Sequence, residues 1–239
     1  MEGMEKRPRF SDLLISILLY LFAVSLPALS GLPGLEQTRI RFVFRLAFFL
    51  FLALFGFLRF PKPGKFAWRY LPFFLLPFTN LLVIAIQGGA SFSFSYDDGI
   101  RLVDLFLTVA IEETLFRVLP FIGLAGEKEK RTWIVLSSVL FSLCHLAGGS
   151  WMQGVYCLGL GLALASLSVY GGGVYYAFLL HFAFNLFNGE FVSYLGGTNL
   201  DAIYFAVNVS AGIAFATYYL FLIFLRFKRG GSSQRYTHR

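Results

Sequence analysis

The feature that most constrains this chain is a succession of eight mostly apolar stretches, separated by short polar or glycine- and proline-containing breaks. Only 14% of the 239 residues are charged, against roughly 25% in soluble domains. Several stretches are shorter than the roughly 20 residues that an upright helix needs to cross a bilayer, so local thinning or interfacial residues would have to supply the difference. The sequence therefore predicts an all-α, polytopic membrane bundle of about eight transmembrane helices, forming one domain over residues 1–239. The stretches cover residues 13–29, 42–58, 71–86, 102–122, 133–146, 153–170, 174–187 and 202–225.

The basic residues favour one orientation of such a bundle. If the amino terminus is cytoplasmic, 15 of the 20 Lys and Arg residues lie on the cytoplasmic side. They comprise three in the first tail, four in 59–69, three in 123–132 and five after 225. This bias follows the positive-inside rule and predicts that both termini are cytoplasmic. The net charge of +7 is thus explained by topology, and no nucleic-acid partner is expected. The alternative for the first stretch is a secretory signal cleaved after Ser30.

Charged residues interrupt the fourth apolar stretch. Glu112, Glu113 and Arg117 lie there among apolar neighbours, and a charge at the centre of a membrane helix costs at least about 2.5 to 3.5 kcal/mol. Glu113 and Arg117 are i,i+4 neighbours on a helix and can pair, whereas Glu112 points about 100° away and has no partner in its own segment. Asp104 and Thr108 could line a polar approach to Glu112 or simply border the helix start, which is the favoured interpretation for Asp104. Glu112 is the first candidate functional residue.

Two histidines lie in other apolar stretches. His145 follows Phe141 by four residues and His181 precedes Asn185 by four, so each pair shares one helix face. A single such histidine would be interpreted as a hydrogen-bonded packing residue. Three predicted membrane helices that offer Glu112, His145, and His181 with Asn185 form a stronger pattern, because ionisable residues inside a membrane are functional candidates by default.

These residues form three motifs that resemble those of the CPBP family of intramembrane proteases, which includes the Rce1-type CAAX endopeptidases. The resemblance covers about residues 102–188, and the first three stretches carry no motif of this kind. It implies a mostly eight-helix membrane core, catalysis by the first glutamate and the histidines, and hydrolysis without a metal. The motifs are Glu112-Glu113-x-x-x-Arg117, Phe141-x-x-x-His145 and His181-x-x-x-Asn185.

The chemistry of the residues agrees with this assignment. Peptide hydrolysis needs a base that activates water and donors that stabilise the developing oxyanion. Glu112 is the candidate base, and His145 could hold the water with it. His181 and Asn185 could polarise the scissile carbonyl from one helix face. The residues expected to support the structure are Glu113, Arg117 and Phe141.

Zinc chemistry is the alternative for the same side chains, since Glu112, His145 and His181 could supply three ligands. The chain lacks the His-Glu-x-x-His motif, which binds zinc from a single helix. The resemblance also implies hydrolysis without a metal, and we therefore expect no cofactor. A cysteine protease that uses Cys144 is disfavoured, because this residue is adjacent to His145 and adjacent residues on a helix point about 100° apart.

The sequence thus predicts a glutamate-dependent, CAAX-type intramembrane endopeptidase with membrane lipid and a protein or peptide substrate as its partners. The substrate is left open between a prenylated C-terminus, a bacteriocin leader and a membrane-anchored protein with a sorting tail. A non-proteolytic transporter or an immunity-type binding protein on the same fold is the alternative function. Against a transporter, the sequence shows no internal repeat of the kind that transporters often carry.

Overall fold

The computed structural model consists of helices joined by short connections. It describes residues 11, 14–15, 17–20, 34–54, 62–75, 77–78, 90–91, 96–124, 126–148, 151–187, 193–194 and 209–225. The predicted cleavage point after Ser30, most of the loop 188–200 and the first part of the eighth stretch lie outside these residues. Described residues at 11–20 and 71–78 are also helical. Six further helices have described bounds: α1 (Gly34–Leu54), α2 (Tyr96–Glu113), α3 (Glu127–Gly148), α4 (Trp151–Tyr170), α5 (Val174–Asn185) and α6 (Val209–Leu225).

The predicted helical architecture is confirmed, but two predicted boundaries are wrong. The stretch expected to begin at residue 42 is helical from Gly34, so Arg39 and Arg41, which precede that stretch, lie on α1. The segment 123–132, expected to be a loop, is helical from Glu127. Acidic residues at Glu127 and Glu129 face the positive end of the helix dipole, and Lys130 Nζ lies 3.4 Å from Glu127 Oε1. Charged residues therefore extend α3 beyond its apolar part.

Small residues allow close packing of helices, and Gly159 and Gly161 on α4 are two examples. A Cβ atom on Gly159 would lie only 1.9 Å from the carbonyl oxygen of Gly212 on α6. One on Gly161 would lie 3.1 Å from the Cα of Ser138 on α3. The backbone of α4 therefore approaches the backbone of α3 at Gly161 and that of α6 at Gly159.

Buried apolar residues form two hydrophobic clusters in the described part of the chain. One joins α4, α5 and α6 through residues such as Leu164, Leu180 and Phe215. The other joins the helical residues near the amino terminus to α1 and to the segment after α2, through residues such as Tyr20, Leu52 and Leu115. Phe141 of the second motif belongs to the second cluster, and Phe184, next to Asn185, belongs to the first.

Hydrogen bonds also join connections that are far apart in sequence. The amides of Gly64 and Ala67 donate to the carbonyls of Gly172 and Gly171, at 2.7 and 3.0 Å. Gly172 and Gly173 have φ angles of +125° and +121°, which glycine adopts without strain. These glycines form the predicted break between α4 and α5. A two-residue antiparallel strand pair joins Ala90–Ser91 to Ser193–Tyr194.

Among the helices that the structure describes, one is long and apolar enough to cross a membrane by length and composition. The qualifying segment is Gln153–Tyr170 of α4, and the apolar helices α5 and α6 are shorter. Large apolar side chains nevertheless face outward on several helices, for example Val43, Leu220 and Phe224. The number of eight transmembrane helices stays a prediction.

Candidate active site

The first motif lies where a regular helix ends. Helix α2 ends at Glu113 and continues as a π-helical turn, Thr114–Val118, in which the amide of Leu119 donates to the carbonyl of Thr114 five residues back. A 3₁₀ turn, Leu119–Phe121, follows. Pro120 has no N–H and therefore cannot donate to the carbonyl of Phe116 in α-helical register. Single π turns within helices occur frequently at functional sites.

Glu113 is completely buried and has two partners on different helices. Its Oε2 lies 3.8 Å from Arg117 Nε, which is the pair that the sequence predicted. Its Oε1 lies 2.9 Å from His181 Nδ1, a contact that the sequence did not predict. Because a carboxylate only accepts, the His181 Nδ1–H donates this hydrogen bond. Glu113 therefore links the first motif to the third.

Glu112 also has a partner on α5. Its Oε2 lies 3.6 Å from His181 Nε2, which is too long for a good hydrogen bond but close for two charged groups. His181 thus lies between two carboxylates. A doubly protonated His181 would donate toward both of them and, together with Arg117, would balance their charge.

His145 has a defined tautomer. Its Nδ1 lies 2.9 Å from the carbonyl oxygen of Phe141, one turn earlier on α3. The carbonyl can only accept, so Nδ1 carries the proton and the neutral ring keeps a lone pair on Nε2. This nitrogen can accept a hydrogen bond from water.

Phe141 contacts side chains of all three motifs. Its buried ring lies 4.4 Å from the His145 ring and 5.5 Å from the His181 ring, measured between centroids. The Arg117 guanidinium lies 4.5 Å from the Phe141 centroid, a distance at which a cation is attracted by the face of an aromatic ring. The three motifs therefore meet around one phenylalanine.

A cavity of about 330 Å³ is bordered by all four predicted catalytic side chains, which are Glu112, His145, His181 and Asn185. They come from α2, α3 and α5, as the sequence predicted. Their roles in catalysis stay predictions. Asp104 and Thr108 border the same cavity, so the polar-approach interpretation describes their position.

Residues 99–187 match the family model described as type II CAAX prenyl endopeptidase Rce1-like. This segment, just over a third of the chain, is similar to the Rce1-like family. The match includes every residue of the three motifs and confirms the resemblance drawn from them. No curated protein and no solved structure matches the chain.

The cavity of the Rce1-like segment includes residues that the sequence did not single out. Arg45 reaches it from α1, outside the matched segment, and Gln153, Tyr156 and Cys157 reach it from α4. A signal for Arg45 and Gln153 was available, since each is a polar residue within or at the edge of an apolar stretch. Cys157 carried no signal, because a buried free thiol usually packs as a small apolar residue.

The ligand geometry for zinc can be tested on the same residues. No group of three or more His, Cys, Asp or Glu side chains is arranged to hold a metal ion in the part of the chain that the structure describes. Both ring nitrogens of His181 face glutamate oxygens. The metal dependence of the reaction stays a prediction.

Proposed function

We propose that this protein is an intramembrane endopeptidase that hydrolyses a peptide bond near the end of a protein or peptide substrate with a glutamate-activated water. The observation that carries the proposal is the position of Glu112, His145, His181 and Asn185 around one cavity. A base, a water-holding group and two donors therefore border a single space. The Rce1-like match of residues 99–187 supports the same reaction class.

In this mechanism, Glu112 takes a proton from a water molecule whose other hydrogen is directed to the Nε2 lone pair of His145. The hydroxide attacks the scissile carbonyl carbon and forms a tetrahedral intermediate. The Asn185 amide and the Nε2–H of His181 donate to its oxyanion. Glu112 then gives its proton to the leaving amine as the C–N bond breaks.

Glu113 and Arg117 act on this reaction through position. Glu113 accepts from Nδ1 of His181 and so directs the other ring nitrogen toward the cavity. A residue that orients a catalytic histidine in this way fixes its ring, and donation from Nδ1 and Nε2 together requires a proton on both nitrogens. Arg117 balances the buried charge of Glu113.

Glu112→Gln tests the proposal with purified protein in lipid vesicles and an internally quenched peptide that carries a prenylated cysteine followed by three residues. General acid–base catalysis contributes roughly 10²- to 10⁴-fold, so we expect kcat to fall by at least about 100-fold. Glu127→Gln makes the same chemical change at an exposed residue and should retain wild-type kcat. Full cleavage by Glu112→Gln would overturn the mechanism, and binding without cleavage by the wild type would favour the non-proteolytic alternative.

A further inference from the structure

Arg45 is a charged residue in the cavity that the reaction described above does not use. It lies on α1 and borders the cavity together with Glu112 and Asn185. Its side chain is 19% exposed, and its Nη1 forms an ion pair with Oδ2 of Asp104. Its charge interacts with Tyr20, Asp104 and Glu112, its side chain also forms a hydrogen bond with Tyr20, and Arg41 lies near Asp104.

The pair between Arg45 and Asp104 leaves polar atoms unused. Among the described residues, Nε of Arg45 and Oδ1 of Asp104 are buried without a hydrogen-bond partner. Leaving a buried donor unsatisfied costs about 1 to 3 kcal/mol, and such groups in native proteins usually have a partner. A guanidinium offers its donors in a planar fork that matches a carboxylate with two parallel hydrogen bonds. A substrate carboxylate would supply the missing acceptor.

The helix geometry gives the distance between this site and the reacting bond. Asp104 and Glu112 are eight residues apart on α2, which corresponds to about 12 Å along a helix that rises about 1.5 Å per residue. An extended peptide covers that distance in about three to four residues. A peptide that runs along the cavity from Glu112 to Asp104 would therefore place its third or fourth residue at Arg45.

We propose that Arg45 binds a carboxylate of the substrate about three residues from the scissile bond, and that Asp104 holds the guanidinium in place until the substrate enters. This inference rests on the proposed function for the direction of the peptide. It assigns to α1, which lies outside the Rce1-like match, a part in selecting the substrate.

Binding by the Glu112→Gln protein tests the proposal without requiring hydrolysis. The probe is a fluorescent peptide with a prenylated cysteine and three following residues, prepared as the free acid and as the carboxamide. We expect the acid to bind roughly 10- to 100-fold more tightly than the amide, because hydrogen bonds to charged groups are stronger than neutral ones. A third peptide, amidated but with glutamate as its last residue, shows whether a side-chain carboxylate can replace the terminal one.

Arg45→Gln in the Glu112→Gln background should bind the acid as weakly as the amide. Arg39→Gln removes the same charge from an exposed position on the same helix and should keep the preference for the acid. Equal losses of affinity for acid and amide would show that Arg45 only ties α1 to α2, and an unchanged preference would exclude it as the carboxylate site. Equal affinity of the parent protein for all three peptides also overturns the proposal.

Asp104→Asn provides a second variant in case Arg45→Gln does not fold. It removes the resident carboxylate that competes for Arg45, so the acid should bind more tightly and the amide should be unaffected. Weaker binding of both peptides would contradict the proposal. A wild-type protein that shows the acid preference but cleaves none of the peptides would refute the proposed function and leave this inference intact.

Discussion

Glu113 is a buried carboxylate whose charge depends on two neighbouring side chains. It is completely buried, accepts from His181 at 2.9 Å and pairs with Arg117 at 3.8 Å. The guanidinium nitrogens of Arg117 have no hydrogen-bond partner among the described residues, so its charge is balanced by Glu113 and by the ring of Phe141. Buried pairs of this kind depend strongly on both partners.

Glu113→Gln should therefore reduce stability, whereas Glu112→Gln should mainly reduce activity. Breaking a buried pair costs about 3 to 5 kcal/mol because a charge is left uncompensated, and the looser 3.6 Å contact of Glu112 with His181 carries less of the structure. Thermal unfolding of both variants in the same detergent, followed by cleavage assays, measures the difference. A Glu113→Gln protein as stable as the wild type would show that Arg117 has another source of compensation.

At the scale of elements, the π-helical turn after α2 contains Arg117, the last residue of the first motif. Within this turn, Arg117 lies 3.8 Å from Glu113 and its guanidinium lies over the Phe141 ring. The absence of an N–H on Pro120 blocks the α-helical register there. The turn and the proline together set the direction of the Arg117 side chain.

Pro120→Ala should lower activity more than stability. The new N–H could donate to the carbonyl of Phe116, and the turn could then rewind as an α-helix and shift the Arg117 guanidinium relative to the Phe141 ring. We expect kcat to fall at least about tenfold, since displacement of supporting groups by about 1 Å can cost 100-fold. Pro72→Ala is the matched control, because Pro72 is a helical proline that does not border the cavity. Unchanged kcat for Pro120→Ala would show that the π turn is incidental.

The contact between α4 and α6 predicts a second effect at this scale. Gly159→Ala would place a methyl group 1.9 Å from the Gly212 oxygen, so the two helices would have to separate. Overpacking costs typically 1 to 3 kcal/mol, and we expect a corresponding fall in the unfolding temperature. Gly99→Ala meets no atom within 4 Å and should leave stability unchanged or raise it slightly. A neutral Gly159→Ala would contradict the close approach of these helices.

The sequence predicted the order of the helices and the meeting of the four cavity residues, because apolar stretches and i,i+4 motifs are local patterns. It did not predict where α1 and α3 begin. The helices were located by their apolar stretches, and charged residues such as Glu127 extend a helix beyond its apolar stretch. The hydrogen bond between Glu113 and His181 joins residues 68 positions apart. Contacts of this kind depend on tertiary packing, which local spacing does not contain.

At the scale of the whole molecule, the reaction class predicts how the enzyme responds to metal removal. A catalytic zinc ion would need three protein ligands, here Glu112, His145 and His181. However, the two ring nitrogens of His181 face Glu112 and Glu113. Binding a metal at His181 would replace one of these contacts. We therefore expect the purified enzyme to keep its activity after extensive chelation, with metal analysis as the control. Loss of activity with the metal, and its return with added zinc, would show that the histidines are ligands.

The orientation in the membrane is a separate prediction for the whole chain. Because 15 of the 20 basic residues fall on one side of the predicted topology, both termini should be cytoplasmic. Reporter fusions at Met1 and Arg239 measure this directly. An external amino terminus, or one removed after Ser30, would mean that the first stretch is not a retained transmembrane helix.

The hydrogen bonds between connections that are far apart in sequence restrict the number of membrane crossings in any such topology. Two backbone groups that bond to each other lie on the same side of a membrane, so the chain between them must cross an even number of times. This applies to residues between Ala67 and Gly171 and to those between Ser91 and Ser193. The predicted topology places four crossings in each interval and satisfies both conditions. A revised count can therefore add or remove crossings within these intervals only in pairs.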